Sequence, residues 1–181
     1  YENGSKSSIE SYVGTQEQPW QSDGLSTYFY ENGQKEREGA YKNDEYYGVW
    51  TAWYESGQKK REGAYKNDEY YGVWTWWHEN GQKSSVGAYN GVGIDGDNLK
   101  VGLWTYWYDN GQKELEGTLK DGNKDGLWIR WHENGQKMSE ATFEDDNQIE
   151  PRIDFDEEGE KRNGNWTLIT DTNKIEGKSK K

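Results

Sequence analysis

The sequence predicts an all-β protein: an elongated solenoid of antiparallel β-hairpins, about 24 residues per repeat, joined into a twisted meander sheet. Three observations carry this expectation. The phrase YENGQK at 30–35 returns as YESGQK from Tyr54, HENGQK from His78, YDNGQK from Tyr108 and HENGQK from His132, with a worn copy, DEEGEK, from Asp156. Glycines at 24, 48, 72, 102 and 126, each followed by an aliphatic residue, keep the same beat, as do Trp50, Trp74, Trp104 and Trp128, where Ser26 takes the first place. Between the glycines no 3.6-residue apolar stripe survives, so helices are excluded as the repeating element.

Composition defines what holds such an array together. Leu, Ile, Val and Phe number only seven, seven, six and three in 181 residues, and the formal charge is −12, values typical of disordered chains. Against that stand eleven Trp and fourteen Tyr, whose rings bury enough area to replace aliphatic residues as the source of cohesion. The interior is therefore predicted to be aromatic. The acidic balance argues against nucleic acid, which is bound by phosphate neutralisation. No cysteine is present, and no apolar run approaches a membrane span, so no transmembrane segment is expected. The sequence opens mid-phrase at Tyr1, which points to a segment upstream.

Taken in order, residues 1–22 form a divergent N-terminal repeat or cap that opens on YENGSK around Gly4. Five repeats fill 23–149, at about 23–47, 48–71, 72–101, 102–125 and 126–149. Residues 150–181 hold a degenerate repeat, a cap and a basic tail ending in Lys178, Lys180 and Lys181. Within a repeat the first strand is a segment such as 49–54, rich in residues that favour pleated structure. The glycine phrase turns the backbone, a second strand follows near 59–65, and a polar loop such as 66–69 leads onward. The phrase glycines Gly33, Gly57, Gly81, Gly111, Gly135 and Gly159 are structural turns. An Asn-Gly pair could form a type I′ turn, but Ser56 and Glu158 fill the Asn place in two copies. A type I turn closed by a left-handed glycine asks for one permissive residue only and is the favoured geometry.

The pattern G-[LV]-W-T-x-W-[YH]-E-N-G-Q-K-x-x-x-G-x-Y resembles the MORN-repeat variant, known from bacterial proteins of which some are named as antitoxins. It covers 23 to about 150 well; beyond it Arg152 replaces the Trp while Phe155 keeps its slot. The resemblance implies antiparallel hairpins stacked side by side and says little about function.

Alternation places Val49, Thr51 and Trp53 on one side and Trp50, Ala52 and Tyr54 on the other, so aromatics occupy both faces. The Trp columns are expected to be core first and ligand contacts second. One column varies within the fixed frame: Tyr28, Ala52, Trp76, Tyr106, Arg130. With Tyr54 and Tyr108 added for their ring faces, the candidate partner-binding surface is Tyr28, Tyr54, Trp76, Tyr106, Tyr108 and Arg130. His78 and His132 share a column with Tyr30, Tyr54 and Tyr108 and read as substitutes for a ring. Asp121, Asn123 and Asp125 match the first half of a calcium loop, but His132 stands where its bidentate Glu belongs, and Asp, Asn and Gly also make ordinary turns. Asp95 and Asp97 are a similarly weak cation pair. No acid–base pair, nucleophile motif or phosphate loop appears, so no enzyme activity and no cofactor are expected. The expectation is a scaffold for a protein partner or for self-assembly. An antitoxin or immunity protein masking a basic toxin and a carbohydrate-binding protein are the alternatives. A bacterial, secreted or cell-surface setting is favoured over the cytoplasm.

Overall fold

The computed structural model describes residues 6–15, 18–92, 96–162, 165–169 and 174–178. Gly4, Asp95, Lys180 and Lys181 lie outside them. Among the described residues every regular element is a strand, and the strands run as an open antiparallel meander, not a closed barrel. Two compact units, Tyr1–Leu99 and Lys100–Lys181, divide the protein just after the six-residue insertion of the third repeat.

In the first unit β1 (Ser8–Ile9) pairs with β4 (Gly24–Phe29), while β2 (Tyr12–Thr15) and β3 (Gln18–Ser22) form a separate hairpin. The ladder continues in sequence order through β5 (Lys35–Lys42), β6 (Glu45–Trp53), β7 (Lys59–Lys66), β8 (Glu69–Trp77) and β9 (Lys83–Val92). β10 (Asn98–Trp107) carries the division between the units. The second unit then runs through β11 (Lys113–Lys120), β12 (Asn123–Trp131), β13 (Lys137–Glu144) and the short β14 (Asn147–Gln148) and β15 (Ile153–Asp154), both paired to β13. β16 (Asn165–Ile169) and β17 (Lys174–Lys178) make their own hairpin. No helix among the described residues is long and apolar enough to cross a membrane.

Two kinds of turn alternate, and their chemistry differs. At the first phrase, Gly33 N–H donates to Tyr30 O (2.9 Å) and Tyr30 N–H to Gln34 O (2.8 Å), with φ +84° at Gly33 and no positive φ at Asn32. That is a type I turn closed by a left-handed glycine, and the extra residue appears as a bulge between Tyr28 and Phe29. Gly57, Gly81, Gly111, Gly135 and Gly159 repeat the same i-to-i+3 bond, so the worn phrase at Asp156 still reverses the backbone. The polar connections turn differently. Asn43-Asp44 (φ 52° and 67°), Asn67-Asp68 (52° and 65°), Asp121-Gly122 (50° and 89°) and Asp145-Asp146 (47° and 64°) are two-residue loops left-handed at both positions, the type I′ geometry. Asn and Asp are the side-chain-bearing residues that enter this region most readily. The second residue also ties one hairpin to the preceding one: Asp68 N–H donates to Tyr46 O (3.3 Å), and its Oδ1 accepts from Tyr46 N–H (2.7 Å).

The core is a one-sided aromatic spine. Trp50, Trp74, Trp104 and Trp128 are buried, with Trp74 and Trp104 only 1% exposed. A sheet with one packed face can bury an indole to this extent only by walling it with other rings. Trp50 has Tyr41 edge-on at 5.0 Å and Tyr46 at 4.5 Å; Trp74 has Tyr65 edge-on at 5.0 Å and Tyr70 stacked at 4.1 Å. Each of Trp50, Trp74 and Trp128 also lies flat on a glycine of the preceding strand. A Cβ at Gly63 would stand 2.2 Å from Trp74 Cδ2, so the residue there must be glycine for the ring to lie down. The indole N–H groups find backbone acceptors in the same place: Trp50 Nε1 donates to Ala40 O (2.9 Å), Trp74 to Ala64 O (3.0 Å) and Trp128 to Thr118 O (3.1 Å). The small pair Gly-Ala or Gly-Thr thus supplies first the clearance and then the carbonyl.

Candidate functional site

Strand pairing sets the variable column into a row with residues that the column alone does not reveal. In the first unit the register runs Tyr28–Arg37–Ala52–Arg61–Trp76–Ser85 across β4 to β9, on the same face as the buried indoles. Arginines therefore alternate with the column. Arg37 lies over the Tyr28 ring at 4.1 Å and donates through Nη1 to Tyr46 Oη (3.1 Å); Arg61 Nη1 donates to Tyr70 Oη (2.8 Å). Burial pushes the phenols of Tyr41 and Tyr65 up from their ordinary value, reinforced by bonds to neighbouring tyrosines, so both stay protonated at physiological pH. In the second unit Tyr106 pairs with Leu115, and Arg130 pairs with Leu115 and Ser139. Tyr106 stacks on Trp104 at 5.8 Å under the Lys100 ammonium, and Arg130 reaches Glu114 (3.4 Å) from an exposed position.

Tyr54 and Tyr108 sit apart from these rows, at the first position of their turns. Their hydroxyls are committed within the repeat array: Tyr54 Oη donates to Trp77 O and Tyr108 Oη to Trp131 O, both at 2.8 Å. Lys60 lies over the Tyr54 ring at 5.4 Å. His132 holds the equivalent place with Nε2 3.4 Å from Phe155 O, in keeping with a ring substituting for a ring. Asp121 is in a type I′ turn, and Asn123 and Asp125 are strand residues of β12 paired to Lys120 and Thr118. Among the described residues no three His, Cys, Asp or Glu side chains gather as a metal site would need.

The opposite face has a different texture. Along its margin a polar relay repeats: Thr51 Oγ1 donates to Glu62 Oε2 (3.0 Å), Lys59 Nζ binds the same oxygen (2.6 Å), and the ammonium lies over the Trp77 ring at 5.6 Å. Thr27–Glu38–Lys35–Trp53 and, in the second unit, Thr105–Glu116–Lys113–Trp131 do the same. The lysine bond holds the Glu62 carboxyl below its ordinary value despite partial burial. Inward of this margin the face is apolar and open. Leu25, Val49 and Val73 are 59%, 64% and 64% exposed; by direct strand pairing Leu25 is joined through Ala40 to Tyr47 and Val49 through Ala64 to Tyr71, while Val73 pairs with Ala88. Leu103 and Leu127 are the matching exposed positions in the second unit.

Two features went unread in the sequence. The arginine pairing was accessible from the turn geometry, because a turn centred on residues 31–33 sets Tyr28 opposite Arg37. The exposed ladder is signalled by the aliphatic residue after each Gly24-type glycine, on the face opposite the indoles.

A non-closed meander of hairpins, with an indole seated on a glycine of the neighbouring strand, defines a β-hairpin repeat protein. The MORN repeat variant pattern matches residues 22–43, 46–67, 70–90, 100–121 and 124–145, and the protein belongs to this family. The junctions between the first and second, second and third, and fourth and fifth matched segments fall at the type I′ loops at 43–44, 67–68 and 121–122, so the family unit is two strands around one glycine turn. No match is found among the curated proteins.

Proposed function

We propose that the protein is a non-catalytic repeat scaffold that holds a protein partner, or another copy of itself, against its aliphatic face. The observation that carries this reading is the set of solvent-open residues Leu25, Tyr47, Val49, Tyr71 and Val73 on one face, with Ala40 pairing between Leu25 and Tyr47 and Ala64 between Val49 and Tyr71. Contiguous exposed apolar surface of this kind marks interaction sites, whereas scattered exposed side chains do not. Repeat arrays suit the task because each unit contributes a small, similar patch to one long surface. The net charge of −12 favours a basic partner by steering and complementarity, and the antitoxin reading suggested by the family resemblance is one form of that. Carbohydrate stacking finds less support: the Trp53, Trp77 and Tyr54 rings carry lysine ammonium groups, and the Tyr54 and Tyr108 hydroxyls are engaged.

The test compares the wild-type protein with a Val49→Asp, Val73→Asp variant. Sedimentation velocity across a concentration series should show association that the variant loses, or affinity capture should retain a basic protein with the wild type and not with the variant. A wild-type protein that is monomeric throughout, and that retains the same proteins as the variant, overturns the reading.

A further inference from the structure

We propose that the gap above Ala52 is a binding site for a single carboxylate, of the kind presented by an acidic side group or by the C-terminal end of a polypeptide. It lies on the indole face, opposite the aliphatic ladder, and does not depend on the reading of that ladder.

The gap arises from one residue. In the row that crosses the first unit, the positions beyond the two arginines hold Tyr28 and Trp76, and the position between them holds Ala52. The missing ring leaves a cleft of about 30 Å³ lined chiefly by Arg37, Tyr46, Trp50, Ala52, Arg61 and Trp74. Both arginines are direct strand partners of Ala52, one from β5 and one from β7, so two cations border the same small space.

Each guanidinium is anchored but unfilled. A single Nη1 bond to a tyrosine hydroxyl fixes Arg37 (3.1 Å) and Arg61 (2.8 Å) and leaves the Nε and Nη2 edge, which is the edge that takes a carboxylate in bidentate fashion. The Nε–H of Arg37 is buried and has no hydrogen-bond partner among the described residues. A buried donor left unpaired is a cost that an incoming acceptor would remove. Among the described residues neither arginine forms an ion pair, although the protein has a large excess of acid. Glu10 is the carboxylate whose charge and Arg37 feel each other, but its main partner is the Tyr12 hydroxyl, and no ion pair joins it to Arg37. Indole and phenol walls keep water scarce around the guanidiniums, which strengthens a charged hydrogen bond made there. Arginine and a planar anion between aromatic walls form a recognition unit of small size and defined geometry.

The experiment follows the Arg37 and Arg61 Nε–H signals of the 181-residue protein by NMR at constant ionic strength. Four probes are titrated: N-acetylglutamic acid α-amide for a glutamate-type carboxylate, N-acetylglutamine for a terminal one, N-acetylglutamine amide as the uncharged control, and inorganic phosphate. Saturable shifts with a carboxylate probe and none with the amide are expected, and the tighter of the two carboxylates identifies the source. Ala52→Trp, which installs the residue that the next repeat already holds at Trp76, should weaken binding by at least about tenfold. Its melting temperature reports whether the fold is kept; if it is not, Arg37→Gln and Arg61→Gln decide, each with the same expected loss. Equal shifts with the amide, phosphate binding as tightly as either carboxylate, or undiminished binding in a folded Ala52→Trp protein would each overturn the proposal.

Discussion

Residues 37–56 and 61–80 are near-duplicates that differ only at 52/76 (Ala and Trp), 54/78 (Tyr and His) and 56/80 (Ser and Asn). Their backbones are the same to within small angles, with φ 52° at both Asn43 and Asn67 and φ 70° and 69° at Gly48 and Gly72. Their cores are not. Tyr46 and Trp50 meet tilted at 56°, 4.5 Å apart, whereas Tyr70 and Trp74 stack at 25° and 4.1 Å. Trp76 explains the second arrangement, lying 5.7 Å from Trp74 and 6.5 Å from Tyr70, where Ala52 offers the first copy only a methyl group. With turn geometry and glycines the same in both copies, the residue at 52/76 is the difference that lies beside the spine, and it separates a closed spine from one with a cleft. The frame and the variable position are thus physically separable, as a repeat array requires if it is to vary its surface without losing its fold.

The largest test of this contrast truncates the indoles themselves. Trp74→Ala should cost about 3–5 kcal/mol, because it removes the centre of a cluster that includes Tyr65, Tyr70 and Trp76. Trp50→Ala should fall toward the low end of that range, since its ring already borders a gap. Denaturant unfolding of the two variants measures the difference. Equal losses would mean that Trp76 adds nothing to its neighbour and that the two spines are equivalent.

A smaller effect should be shared by both copies, because the opposite face treats them alike. Glu38 and Glu62 are each held below the ordinary carboxyl value of 4.5, mainly by the Lys35 and Lys59 ammonium groups and secondarily by the Thr27 and Thr51 hydroxyls. A carboxylate with a depressed folded pKa contributes stability that is fully present above its unfolded pKa. That contribution is lost as pH falls through the folded pKa, here below about 4.5. Partial solvent exposure keeps it modest. Melting temperatures at pH 6 and pH 3.5 (test conditions of about these values) should show the decline, and a Glu38→Gln, Glu62→Gln variant should flatten it. Thr75 faces Val86 where the earlier copies have a glutamate, so that strand pair should not contribute.

What could be read from the residues follows the range of the interactions. A repeat of strands and turns depends on neighbours a few residues apart, and the antiparallel hairpin repeat expected from the sequence is the fold that the structure shows. The type I′ loops read merely as polar, although Asn43-Asp44 carries the local signal, because the Asn-Gly pairs are the more conspicuous candidates. The Arg37–Ala52–Arg61 row depends on pairing between strands, and there a bulge at each glycine turn shifts the register by a residue. The exposed ladder needed the knowledge that only one face is covered, which alternation alone does not supply. Tyr54 and Tyr108 looked available as free ring positions because nothing local shows a hydroxyl reaching a carbonyl 23 residues away.

The smallest expected effect concerns the third difference between the copies. Asn32, Asn110 and Asn134 each stitch one turn to the next, donating through Nδ2 to Glu55 O (3.0 Å), Glu133 O (2.8 Å) and Glu157 O (2.9 Å) while Oδ1 accepts the Gln N–H two residues on. Ser56 is too short to span the gap to Glu79. Ser56→Asn should therefore add both bonds and stabilise the protein by about 0.5–1 kcal/mol, at the low end for hydrogen bonds because the turns are exposed. Asn32→Ser should cost a similar amount. A rise in melting temperature for Ser56→Asn, with the stacking of Trp50 unchanged by near-ultraviolet circular dichroism, would show that the turn stitch and the spine are independent devices. A rise accompanied by tighter stacking would show instead that the loose first copy owes part of its character to Ser56, and the contrast could no longer be assigned to Ala52 alone.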